Sequence, residues 1–119
     1  MVSKKDGATG SFQVSAALPK NVLVKLDGDG KLELAGAADA DAIGVTVTQT
    51  FNADEWTAVE FLSKEGTLIC TASEALAIGD VANQAASGKF QESAGTIRRG
   101  IVLSAAGADG DYFELLPLP

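Results

Sequence analysis

Few residues in this chain have the types and spacing to do chemistry, and most of them are acidic. Asp54-Glu55 precedes Trp56, and Asp109 with Asp111 precedes Tyr112. Paired carboxylates can divide the roles of general acid and general base when their surroundings push their pKa values apart. Both pairs here fall in loop-like segments ahead of a strand, where carboxylates are ordinarily just solvated. The run Asp27-Gly28-Asp29-Gly30-Lys31-Leu32-Glu33 opens like a calcium loop. Such a loop requires glycine at its sixth position and glutamate at its twelfth. Counted from Asp27, those positions hold Leu32 and Ala38, so the segment reads as a hairpin turn and no metal site is expected.

Three further features have two readings each. Arg98-Arg99 is unusual in an acidic chain. Neighbours on a strand point to opposite faces, so one arginine meets solvent and the other either is a plain strand-edge residue or pairs with a carboxylate, including one across a subunit boundary. Trp56 is the sole tryptophan. It is read either as a packing residue, internal or between subunits, or as a platform that stacks on a sugar. Cys70 lies in the apolar run Leu68-Ile69-Cys70 and reads as a small core residue, not a reactive thiol.

What is missing narrows the classes. The chain has no histidine, which excludes histidine-dependent triads, Cys–His dyads and histidine metal sites together. A single cysteine excludes an intrachain disulfide and a multi-cysteine zinc site. The Gly-x-Ser-x-Gly elbow, the phosphate-binding loop and the dinucleotide fingerprint are absent. Neither an enzyme nor a cofactor is expected. A net charge of −7 argues against nucleic acid and against anionic lipid as partners. No apolar run approaches the roughly 20 residues of a membrane helix. Lys4 and Lys5 are not followed by the apolar stretch of a signal peptide, so a soluble protein made in a cytoplasm is expected.

The elements that must position these residues come from an internal repeat. Ala17-Leu18 and Ala75-Leu76, Leu23 and Val81, and Gly30-Lys31 and Gly88-Lys89 are each 58 positions apart (75 − 17, 81 − 23, 88 − 30). Gly10-Ser11-Phe12 resembles Gly66-Thr67-Leu68, Ala35-Gly36 resembles Ala94-Gly95, and Gly44-Val45 resembles Gly100-Ile101. Val59-Glu60-Phe61-Leu62 resembles Phe113-Glu114-Leu115-Leu116. The chain therefore reads as an arm (1–9) and a single β domain (10–119) holding two fused copies, 10–62 and 66–116. Each copy is about 50 residues, small for an independent domain. The copies are thus expected to share one core about an approximate two-fold.

Within each copy the signals are for short strands. Val22 to Leu26 and Lys31 to Leu34 flank the Asp/Gly turn as a hairpin. Ile43, Val45 and Val47 alternate with Gly44, Thr46 and Thr48. With 46% hydrophobic residues but only 6% aromatic, the expected fold is mainly β, a compact barrel or sandwich with an aliphatic core.

The cadence "VKLDGDGKLELAG", "AIGV", "VEFL", "LAIGDVA", "SGKF" and "GADGDYFELL" resembles the capsid decoration, or cement, proteins of tailed bacteriophages. It covers nearly the whole chain after residue 10. The resemblance implies a structural protein that binds the outside of the assembled shell and stabilises it, with the major capsid protein as partner. It also implies a homotrimer on the virion capsid surface. The arm with Lys4 and Lys5, Trp56, and Arg98 or Arg99 are the expected partner-binding residues. The rival reading is a β-sandwich carbohydrate-binding module using Trp56 or Tyr112.

Overall fold

Short apolar stretches broken by Asp/Gly turns commit the backbone to short antiparallel strands. The computed structural model describes residues 9–63, 66–92 and 97–118. Of the expected arm, residues 1–8 lie outside the described residues, and Thr9 already belongs to a strand. Repeat 1 contributes β1 (Thr9–Gln13), β2 (Leu23–Leu26), β3 (Leu32–Leu34), β4 (Gly44–Thr46) and β5 (Trp56–Phe61). Repeat 2 contributes β6 (Leu68–Thr71), β7 (Val81–Gln84), β8 (Phe90–Gln91), β9 (Arg98–Val102) and β10 (Tyr112–Pro117). Among the described residues the helical element is a 3-10 turn, Ala86–Gly88.

The two sheets have the same topology. Repeat 1 runs β1-β5-β4-β2-β3 and repeat 2 runs β6-β10-β9-β7-β8. In each, the first and third strands meet through an isolated parallel bridge, Val14 to Leu32 and Ala72 to Phe90, so each sheet curls until its edges touch. The bridges are reinforced alike, by Ser15 Oγ donating to the Leu32 carbonyl and Ser73 Oγ to the Phe90 carbonyl, each at 3.0 Å. Gly44 and Gly100 hold matching places in the middle of the sheets. A Cβ on either would run into the carbonyl oxygen of Glu60 or Leu116.

The strand registers correct the sequence matching in two places. Gly10 pairs with Val59 and Leu68 with Leu115, so Gly10 corresponds to Leu68, not to Gly66. Val59 pairs with Thr46 and Leu115 with Val102, so once Gly44 is matched to Gly100, Val59 corresponds to Leu115, not to Phe113. Both errors are two residues long, which leaves the inward and outward faces unchanged because strand side chains alternate with period two.

The expected shared core is also corrected, because there are two hydrophobic clusters. Val14, Leu18, Val22, Val24, Leu32 and Val59 fill repeat 1, with Phe12 and Phe61 edge to face at 6.2 Å. The larger cluster fills repeat 2 around Phe90 and Phe113, and takes in Leu23, Ala35 and Val45 from the outer side of the repeat 1 sheet. Ala35, just past β3, donates its N–H to the Leu23 carbonyl at 3.0 Å, and Leu23 on β2 pairs with Val45 on β4, so the three form one row, and all are buried. One end of repeat 2 sits on that row. Gly88, at φ +71°, lies against the Leu23 backbone and donates its N–H to the Ala35 carbonyl at 2.8 Å. Thr71 Oγ1 donates to the Asn21 carbonyl at 2.8 Å. Full burial of Leu23 and Val45 is worth about 1.5–3 kcal/mol each, so the junction is an apolar contact fixed by a few directional bonds.

An approximate two-fold would place the Gly30 turn on Val81 as the Gly88 turn sits on Leu23. A Cβ at Gly30 meets nothing within 4 Å, so the repeats are joined head to tail.

Candidate functional site

The carboxylates of the sequence analysis are turn builders. Glu55 accepts from the Phe51 N–H at 2.9 Å and from Asn52 Nδ2 at 3.0 Å, and these bonds hold its pKa below the ordinary value. Asp111 repeats the arrangement by accepting from the Gly107 N–H at 3.1 Å. Asp54 pairs with Lys31 Nζ at 2.6 Å, which raises the lysine pKa, and Asp109 pairs with Lys89 Nζ at 2.8 Å. In the Asp27 turn, one carboxylate oxygen accepts from the N–H groups of Asp29 and Lys31 at 2.8 and 3.0 Å, and the Asp27 pKa falls accordingly. Every one of these acids is occupied by a backbone N–H or an ammonium from its own repeat. Among the described residues no group of three or more His, Cys, Asp or Glu could hold a metal ion. Cys70 is buried, and desolvation pushes its thiol pKa well up, so it is unreactive core.

Arg98 and Arg99 open β9. Arg98 is exposed, while Arg99 reaches across the junction. Its Nε donates to Gln84 Oε1, and its Nη2 donates to the Ala40 carbonyl at 3.3 Å. A carboxamide and a carbonyl stand where a carboxylate was expected, and partial burial lowers the guanidinium pKa. Gln84 completes the joint. It is fully buried, and its Nε2 donates to the carbonyls of Gly36 and Asp39, each at 3.0 Å. Sequence reasoning missed Gln84. The one available signal was its alternation with Ala82, which puts it on the inward face of β7, where burial demands partners.

Trp56 lies elsewhere, at the start of β5, and is 65% exposed. Phe51, from the preceding loop, is 71% exposed. Lys4 and Lys5 lie outside the described residues, so of the expected partner-binding residues only the two arginines share one place in the fold. A second apolar surface was also missed. Ile69, Leu103 and Leu116 are exposed on the outer side of the repeat 2 sheet, beside the half-buried Val81 and Ile101. Among the described residues the molecule therefore offers an aromatic end on repeat 1 and an aliphatic face on repeat 2, and the residues that could do chemistry do not converge on one cleft.

No family model matches the sequence, and no curated protein matches it. Among solved structures, the chain is similar to the head fiber gp8.5 N base of bacteriophage phi29. The TM-score is 0.71 at 16% sequence identity, with 92% of each chain covered. At that identity the likeness is one of fold.

Proposed function

We propose that this chain is a structural protein of a phage virion that decorates the outer surface of the assembled capsid and stabilises it. The observation that carries the reading is the fold shared with a bacteriophage head-fiber base along 92% of both chains. The sequence resemblance to phage cement proteins points the same way. The chemistry of the surface suits the role. Its acids are tied into turns, and its exposed apolar groups lie on an end and a face, which serves docking and not turnover. In this reading the major capsid protein is the partner, the working unit is a homotrimer, and many identical copies gain avidity by bridging shell subunits. Net charge of −7 keeps the free protein soluble before it docks. The test is the copy number of the chain in purified particles, measured by quantitative mass spectrometry against the major shell subunit. A ratio of one or a simple fraction of one is expected. A ratio near zero would sink the proposal.

The exposure of Trp56 and Phe51 favours a second reading, a carbohydrate-binding module. Trp56 emission that shifts on titration with glycans is its signature, and a decoration protein leaves the emission unchanged.

A further inference from the structure

Matching positions of the two repeats have opposite fates. In repeat 1 the row Ala35–Leu23–Val45 is buried under one end of repeat 2. In repeat 2 the positions matching Leu23 and Val45 are Val81 and Ile101, which are only half-buried and run on to the exposed Leu116. This row is also more apolar around its rim. Leu116 stands where repeat 1 has Glu60, and Ile69 where it has Ser11. Contiguous exposed apolar surface of this kind marks an interaction site.

The end of repeat 2 that covers repeat 1 is built from Thr71, Tyr112 and the turn at Gly88. The registers Gln13–Trp56 and Thr71–Tyr112 give its counterpart in repeat 1 as Gln13, Trp56 and the turn at Gly30. That end is open. Trp56 is 65% exposed, and a Cβ at Gly30 would meet nothing within 4 Å. Each chain thus holds one used and one unused copy of both sides of the same contact.

The unused sides fit each other chemically. Inside the chain, Lys20 Nζ lies 5.8 Å from the centroid of the Tyr112 ring. The counterparts of that pair are Ile78 and Trp56, which are 70% and 65% exposed. A cation on a ring within the chain becomes an aliphatic side chain on an indole between chains.

We infer that the open outer face of repeat 2 binds the Trp56 end of repeat 1 from a second copy, reproducing between chains the contact made within each chain. Ile78 and the Val81–Ile101–Leu116 row form the receiving side. Such a contact uses different surfaces on the two partners, so it propagates around a ring or along a filament. The inference uses only the comparison of the repeats and is independent of the phage-head reading.

The test is self-association of the full chain with no shell present. Light scattering after size exclusion, and the emission of Trp56, are followed across protein concentration. The wild type should assemble, with the emission moving to the blue as the indole leaves water. Trp56→Lys and Ile78→Lys, both at exposed positions, should each weaken association at least tenfold while leaving the far-UV circular dichroism unchanged. Mixed together, the two variants should form a one-to-one dimer, because one keeps an intact receiving face and the other an intact aromatic end. A wild type that stays monomeric with constant emission would overturn the inference. So would association that survives both substitutions, or a mixture that stays monomeric. None of these outcomes bears on shell binding, which the particle copy number tests separately.

Discussion

Repeat 1 and repeat 2 build the same five-stranded sheet, with the same strand order, the same bridged edges and a glycine at the same crowded point. They differ in what covers the outer side of that sheet. In repeat 1 it is buried by the neighbouring repeat, and in repeat 2 it faces outward. They also differ inside. Thr46, Thr50 and Thr57 occupy inward positions of repeat 1, where repeat 2 has Val102, Ala106 and Phe113. The threonine hydroxyls are used in bonds, as in Thr46 Oγ1 to the Pro19 carbonyl at 2.8 Å and the Leu18 N–H to Thr50 Oγ1 at 2.9 Å. Repeat 1 thus relies on hydrogen bonds and on its partner, whereas repeat 2 has the larger apolar interior. A sheet with two faces can be kept as a template while either face is reassigned.

The largest expected effect tests whether the sheets are the same unit. Gly44→Ala and Gly100→Ala should each cost about 3 kcal/mol in urea unfolding, because a Cβ at either site meets a backbone carbonyl that cannot yield without separating strands. Tolerance at one site alone would break the equivalence. The next prediction separates the covered face from the open one. Leu23→Ala should cost about 3 kcal/mol, and Val81→Ala under about 1 kcal/mol, when both are measured in an Ile78→Lys background that removes association. Equal costs would mean that the two faces are equally covered.

The junction bonds give a smaller effect. Gln84→Leu should cost about 2 kcal/mol, since it removes the side-chain donor to the Asp39 carbonyl and one of two donors to the Gly36 carbonyl, and leaves Arg99 Nε without its acceptor. Leu26→Gln, the reciprocal change at the matching and partly exposed position of repeat 1, should stay within about 0.5 kcal/mol by the same chemical unfolding assay. The smallest effect concerns the turns. Asp27 and Glu55 have folded pKa values below their ordinary ones, because backbone N–H groups bond the charged form. Their contribution to stability is complete above the ordinary carboxyl range near pH 4, and it is lost as pH falls through the lowered folded values. Asp27→Asn should therefore flatten the acid limb of the stability profile. An acid limb unchanged in that variant would show that the Asp27 turn carries no pH dependence.

Much of the fold was legible because its causes are local. Alternation marked β4 and β5, and the Asp27–Gly30 turn placed β2 against β3. The duplication was visible because turns and glycines recur in order. Matching Val59 to Phe113 instead of Leu115 was an error that apolar pattern could not prevent, since both candidates are large, apolar and inward-facing. Only the register of β10 on β6 and β9 resolves it. The candidate site was less legible. The sequence around Trp56 is compatible with packing and with recognition, and its 65% exposure decides only that it is not packed within its own chain. Ile78, Leu103 and Leu116 gave no signal, because a face is defined by neighbours far away in sequence.

What the sequence by itself determined is the class of the fold, its duplication and the absence of histidine-based chemistry. These depend on residue type, on period two and on turn geometry, all carried within a few residues of each position. What only the tertiary structure decided is how the two copies meet. Leu23 and Val81 read alike in sequence, both aliphatic on matching strands, yet one is buried and the other partly open. The difference lies in which end of which sheet packs against it, and that is fixed by the energy of the assembled junction, not by either residue's own preference.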